Sequence, residues 1–424
     1  MNWRVFAMSL LRRGNLNRLF KENMSLQYAG NVHTIEQEME QNAKAIFQYH
    51  VKNNPGYRQF LDSKGFDYSD ISLLNWKDIP IITKDDLRKY NPVIFNQVYN
   101  YTKSGGSTNS PLRYPASKES ALRIWPNHWT MHAMCGIVPY EKMLMLMGHH
   151  AISDSNLKRL YQWLSQFYTI CSFDLTQENA DKMYHLIINQ KIKFLYGYAS
   201  SIYIFLRYLR DHNLHLSLKG IFSTSENVVP VSYDLARKYC NCDLFNQYGA
   251  HDGDIFAFEC SAHDGLHILH NSCTTEIVDN EIYLTATRNY AYPFIRYRVG
   301  DRVLGKELIK EKCSCGRTLF RLKGISGRVN DVVRDVDGKE IPVIMFTFPL
   351  DEDLSIDKYQ VIETSDCIII NIISDKHDVV FYEKRHRPYI QNYLKRPIRF
   401  TLNKPLIQLP NKKVPLYILH NILT

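Results

Sequence analysis

The chain has 424 residues, of which 45% are apolar and 22% charged, and it carries a net charge of +9. That length and balance fit two or three globular domains and exclude a disordered or fibrous chain. No apolar run reaches the ~18–20 residues that a bilayer crossing needs, so no transmembrane segment is expected. The stretch from Val5 to Leu11 is short, runs into Arg12-Arg13 and lacks a small-residue cleavage site. It reads as the start of a helix, and the expected location is cytoplasmic. The basic residues are scattered without a block of five or six, which favours small anionic partners and argues against nucleic acid. The nine cysteines read as reduced thiols, some of them available to a metal.

In chain order, residues 34–54 read as a helix: Thr34 and Gln37 have capping-box spacing, and Met39, Ala43, Ile46 and Phe47 share a face. A short helix is expected from Thr83, with Asp86 three residues on. From about residue 143 the pattern alternates. Apolar runs at Met143–Met147, Ile192–Tyr196, Lys219–Ser223 and Asp243–Tyr248 read as strands separated by helices, the clearest being Ser200–Arg210. Such alternation predicts an α/β architecture with a parallel sheet covered on both faces. Residues 255–325 are richer in strand signals, such as Glu281–Thr287. The last ~95 residues carry a short strand at Cys367–Ile373 and a helix near 378–394, and read as a small α+β domain beyond a boundary near Gly327.

Four segments carry chemistry. In Ser104-Gly105-Gly106-Ser107-Thr108-Asn109-Ser110-Pro111, small residues let backbone N–H groups approach a polyanion and hydroxyls add donors. Gln247-Tyr248-Gly249-Ala250-His251-Asp252 ends an expected buried strand, where α/β sheets gather ligands. Tyr248 there can stack on a base, and Asp252 can hold Mg²⁺. In Arg296-Tyr297-Arg298-Val299-Gly300-Asp301, the terminal carboxylate is placed to accept bonds from a ribose diol. Gly327-Arg328-Val329-Asn330-Asp331 falls on the domain boundary. Each segment alone is also compatible with an ordinary turn.

In this order, with Thr224-Ser225-Glu226 between the first two, the set resembles the adenylate-forming superfamily, most closely the phenylacetate–coenzyme A ligase-like proteins that include the CapK type of capsule-biosynthesis protein. The resemblance covers nearly the whole chain, down to Asn53–Arg58 and the lead-in Asp78-Ile79-Pro80-Ile81-Ile82-Thr83-Lys84. It implies a large adenylate-forming domain over 1–327, with mostly parallel sheets flanked by helices plus a β-rich part, and a small mobile α+β lid over 328–424. It implies a two-step reaction: a carboxylic acid attacks the α-phosphate of ATP, and the acyl-adenylate then passes to coenzyme A or to an acceptor amine or sugar in surface-polysaccharide synthesis. By the same match, Ser104, Gly105, Gly106, Ser107 and Thr108 cradle phosphates, and Tyr248 and Gly249 meet adenine beside Ser225 and Glu226. Asp252 serves Mg²⁺, Asp301 the ribose, and Arg328 the nucleotide. Lys412 falls at the adenylation lysine, with Lys413 the neighbouring alternative.

The chain departs from that pattern at Asn109 and Asn411, where the family has glycine, and at Asn330, where it has a carboxylate. Asparagine is the residue that best replaces glycine in left-handed geometry. His251-Asp252 stands for a Thr/Ser-Glu pair, which puts an imidazole near the α-phosphate. These departures keep a second reading in play, a non-catalytic nucleotide-binding or scaffold descendant. The acid is expected between the large domain and the hinge, among Trp125, His128, Trp129, His149 and His150.

Cys313 and Cys315 form a Cys-x-Cys knuckle, and upstream Cys260 and His267 are separated by six residues. Three thiols and one imidazole complete a closed structural zinc set. His263 and His270 are rival ligands.

Overall fold

The computed structural model describes residues 3–70, 75–104, 112–147, 156–171, 177–228, 230–328, 332–338, 340–353, 355–408 and 417–419. Capping residues set the helical start of the chain. Asn31, not Thr34, caps the long helix Val32–Asn53, and Thr34 supplies the reciprocal bond from the third helical position. Thr34 was expected to be the cap; Asn31, three residues earlier, takes the role because its amide oxygen satisfies the Thr34 N–H. Asn54 then caps Pro55–Ser63, and Thr83 with Asp86 boxes Lys84–Tyr90.

The scaffold of the larger part is an eight-stranded sheet. Phe167–Cys171, Met143–Met147, Phe194–Tyr198, Gly220–Thr224 and Leu244–Ala250 run parallel, and the antiparallel strands Ile255–Glu259, Leu266–Ile268 and Arg321–Leu322 extend it. Helices Gln177–Gln190, Ala199–Asp211 and Val231–Cys240 pack one apolar face into a core with Leu144, Leu195, Ile221 and Leu244. Phe194, Phe222, Phe245 and Phe258 meet Met131 and Leu319 in a second core. The strands fall within two or three residues of the apolar runs that announced them, because buried parallel strands read as unbroken hydrophobic stretches.

A second sheet carries Cys273–Val278, Glu281–Ala286, Tyr297–Val303 and Ile325–Arg328, all antiparallel. A short hairpin, Asn100–Lys103 with Arg113–Ala116, packs its inner face against a core containing Tyr292, Phe294 and Tyr297. Residues from Val333 onward have a core of their own, made by the strands Lys358–Glu363, Ile368–Ile373, Ile398–Leu402 and Tyr417–Leu419 with helices Val343–Glu352 and Val379–Gln391. Arg207 ties the two parts: its Nη1 donates to the Ile356 carbonyl at 2.7 Å and its Nη2 pairs with Asp357 at 2.9 Å. Among the described residues no helix is long and apolar enough to cross a membrane.

Candidate active site

Strand Leu244–Ala250 delivers the first site residues. Thr224 and Gln247 are register partners on adjacent parallel strands, so Ser225 and Glu226, just past the end of one strand, lie at the same sheet end as Tyr248 and Gly249. Ser225 has φ of 68°, a left-handed turn that ends the strand abruptly. Gln247 accepts from the Tyr196 hydroxyl at 2.9 Å, reached across the intervening strand Gly220–Thr224.

The Tyr248 hydroxyl donates to Asp301 Oδ2 at 2.7 Å, joining segments 53 residues apart. Asp301 is in turn the cross-strand partner of Arg328. The backbone therefore gathers Tyr248, Asp301 and Arg328 into one corner; the Arg328 side chain lies outside the description. Gly300, with φ of 86°, sits in the bulged stretch of Tyr297–Val303 that presents Asp301.

Asp252 is 5% exposed, and its Oδ2 accepts from the Tyr297 hydroxyl at 3.0 Å and faces the Lys84 ammonium at 3.6 Å. Lys84 and Tyr297 are additions to the expected set. They follow from a tertiary pairing with no sequence signal: Ile82 bridges Tyr297, and the Arg298 N–H donates to the Ile82 carbonyl at 3.0 Å. That pairing puts Lys84, two residues on, within reach of the carboxylate. Burial, reinforced by Asp252, raises the Tyr297 pKa and keeps the phenol protonated as a donor.

His251 keeps its ring exposed, while enclosure on its protein side lowers its pKa against an opposing pull from Asp252. It is close enough to His128 to act on it electrostatically. Burial, with His251 adding to it, lowers the His128 pKa to about 3, so that ring is neutral. His128 packs edge-on to Tyr196 at 5.2 Å and to Phe256 at 4.9 Å, with Trp125 at 5.5 Å. Trp129, expected beside them, lies instead in the amino-terminal helical core against Tyr140 and Phe20, because the helix turns it to the opposite face.

Two residues beyond Asp252, Asp254 accepts from Ser120 Oγ at 2.8 Å while its Oδ2 has no hydrogen-bond partner among the described residues. Burial raises its pKa to about 7, against the Ser120 bond and the Arg123 charge. Nothing in the sequence distinguishes this aspartate from a turn residue.

The hairpin pairs the two residues that flank 105–111, the stretch expected to meet phosphates. Ser104 and Leu112 exchange a backbone bond at 2.9 Å, and Ser104 Oγ accepts from the Leu112 N–H, also at 2.9 Å. At the hairpin base, Tyr114 packs edge-on to Phe294 at 4.9 Å and feels the charges of Asp252 and Asp254. Gly105, Gly106, Ser107, Thr108, Asn109, His149, His150, Asn330, Asn411, Lys412 and Lys413 lie outside the described residues.

Away from this corner, the ligand atoms of Cys260, His267, Cys313 and Cys315 lie within 4.8 Å of one another. Cys260 and Cys313 sulfurs are 3.8 Å apart, and Cys315 Sγ is 3.5 Å from His267 Nε2. A tetrahedral ion with metal–sulfur bonds of about 2.3 Å has ligand edges of about 3.8 Å, so the donors fit zinc. The knuckle is a tight turn closed by Gly316 N–H to the Cys313 carbonyl, with Gly316 at φ of 89°. Burial lowers the His267 pKa to about 4 and raises that of Cys260 to about 12. His263 faces Glu259 and stacks on Phe245, and His270 faces Glu38, so neither joins the four.

No family model matches the chain. Its fold is that of the adenylate-forming ligases: it superposes on 2-hydroxyisobutyryl-CoA ligase, in the postadenylation state with 2-HIB-AMP, at a TM-score of 0.71 and 16% identity, covering 91% of this chain and 90% of that one. The same ligase in an open conformation gives 0.58, over 90% and 91%. Anthranilate CoA ligase AuaEII in complex with anthranoyl-AMP gives 0.54 at 14% identity, over 75% of this chain and 66% of that one. In sequence, the chain is similar to Protein CapK of Staphylococcus aureus, 25% identical over 323 residues, which span 69% of this chain and 68% of CapK.

Proposed function

We propose that the protein activates a carboxylic acid with ATP, forming an acyl-adenylate and pyrophosphate, and passes the acyl group to a thiol or amine. The observation that carries this reading is the Tyr248–Asp301 bond, which with the Asp301–Arg328 pairing brings to one corner three of the segments expected to meet a nucleotide. The 2-hydroxyisobutyryl and anthranoyl ligases of like fold are described with acyl-AMP ligands, which supports the reaction class.

In this reading Tyr248 offers a ring face to adenine, Asp301 accepts from the ribose hydroxyls, and the 104–112 loop meets the phosphates. Charge builds on the α-phosphate in the transition state, and positive or hydrogen-bonding groups held beforehand stabilise it. His251 at the end of its strand and Lys412 from the carboxyl-terminal part are assigned that role. Asp252 offers a hard oxygen donor suited to Mg²⁺, which would neutralise phosphate charge when bound. The fit is partial, since Lys84 already faces Oδ2. Trp125, His128, Tyr196 and Phe256 form an aromatic floor beneath His251 that suits a planar or small hydroxylated acid. Coenzyme A is assigned as acceptor, with a sugar or carrier amine of surface-polysaccharide synthesis as the variant that CapK similarity favours. The 328–424 region is assigned as the lid, hinged near Gly327, and zinc as the ion of the Cys₃His group.

A second reading is nucleotide binding without turnover. The Lys84–Asp252 pair favours it, because an ammonium stands where a divalent cation is expected. Calorimetry with AMP tests the shared premise: micromolar binding that is lost in Asp301→Ala supports both readings, and no binding to the wild type defeats both. Turnover then separates them.

A further inference from the structure

Outside that corner, a hollow of about 360 Å³ opens between the Arg13–Asn15 turn with the start of helix Leu16–Leu26, the helical turn and bend 118–123, and the segment 288–290. Its wall presents Arg13, Arg18, Lys118, Arg123 and Arg288, with Glu119 the one lining carboxylate among the described residues. Glu22 reaches Arg123 Nη2 at 3.3 Å and Asp254 lies near enough to feel its charge, so with Glu119 the five basic side chains still outnumber the carboxylates around them.

Arg123 is the one set deepest against the protein. Its side chain is 11% exposed, and among the described residues both Nε and Nη1 lack a hydrogen-bond partner. A buried guanidinium with idle donors is costly unless an anion completes it. Arg288 is pre-set, its Nε fixed by the Asn271 carbonyl at 2.9 Å and its Nη2 near Asn42. The backbone closes in as well. A Cβ on Gly14 would lie 2.2 Å from Leu122 Cδ1, so the Arg13–Asn15 turn packs directly on the wall. That turn opens the helix Leu16–Leu26, whose amino-terminal end also favours negative charge. The aromatic ring of Tyr290 completes the lining.

We propose that this hollow binds a small metabolite carrying two phosphate groups, at a site separate from the nucleotide corner. Arg123 and Arg288 supply guanidinium charge and the N–H groups that Glu22, Asn42 and Asn271 leave over at the inner wall, while Arg13, Arg18 and Lys118 meet the outer phosphate. The volume suits a phosphorylated sugar and is too small for a folded peptide or a nucleic-acid strand.

The test is calorimetric titration of the full-length chain with fructose 1,6-bisphosphate, which carries neither adenine nor pantetheine, with and without saturating AMP. We expect binding below about 1 mM that AMP leaves unchanged. Arg18→Gln with Lys118→Gln, both on exposed side chains, should weaken it by about tenfold or more, and Arg123→Lys should weaken it by removing the fork. No binding up to about 10 mM, equal affinity in the double variant, or competition by AMP would each overturn the proposal. None of these outcomes depends on whether the chain turns over ATP.

Discussion

The Tyr248 hydroxyl reaches Asp301 Oδ2 across 2.7 Å, and this one bond links the end of the central sheet to the second sheet. It also orients the carboxylate assigned to the ribose. Asp301→Ala is expected to lower kcat/KM for ATP by about 100-fold, roughly 2.7 kcal/mol of transition-state stabilisation. Tyr248→Phe keeps the ring and removes only the anchor, so a loss of about tenfold or less is expected. Steady-state kinetics with ATP as the varied substrate separates the two, and equal losses would deny Asp301 its own role.

Much of this arrangement was legible in the sequence. The strand at Leu244–Ala250 and the helix Ala199–Asp211 were readable because apolar runs and a 3.6-residue period are local signals. The Cys₃His set was readable from spacing. Lys84 was not, because its partner Asp252 is 168 positions away and only the Ile82–Tyr297 pairing brings them together. The cap at Asn31 and the placement of Trp129 were missed for related reasons: several polar residues compete for one helix start, and a helical aromatic can face either core.

Arg296 fastens the lead-in segment to the second sheet. Its guanidinium donates to the Ile79 carbonyl at 2.7 Å and to Glu276 at 3.3 Å, and Glu276 also accepts from Trp76 at 2.9 Å. Arg296→Ala strips the Ile79 carbonyl of this donor and leaves Glu276 with Trp76 but no cation, in a nearly buried setting. A destabilisation of about 3–5 kcal/mol is expected in denaturant unfolding. A loss under about 0.5 kcal/mol would contradict this account of the segment.

Asp254 gives a pH signature. Its folded pKa of about 7 lies above the ordinary carboxylate value, so folding favours the protonated form. The stability it contributes is whole below pH ~4 and is lost as pH rises through about 7. Asp254→Asn, which can still accept from Ser120, should therefore raise Tm at pH 8 and converge with wild type near pH 4. A difference in Tm independent of pH would show that the carboxyl does not titrate in this window.

For the thiol and imidazole group, purified protein should carry about one zinc per chain, and Cys260→Ser or Cys313→Ser should carry far less and melt lower. Binding displaces thiol protons, so zinc should be retained more tightly as pH rises and released on acidification. His267, with its pKa near 4, stays neutral through most of that range and leaves the thiols to set the dependence. Wild-type metal content near zero, or equal content in the serine variants, would refute the assignment.

The most direct test is carboxylate-dependent exchange of labelled pyrophosphate into ATP, run over a panel of aryl, hydroxylated and fatty acids. At least one acid should drive exchange, and Lys412→Ala should reduce it by about 100-fold or more. Exchange by no acid, alongside intact AMP binding, would contradict acyl-adenylate formation and leave a nucleotide-binding protein.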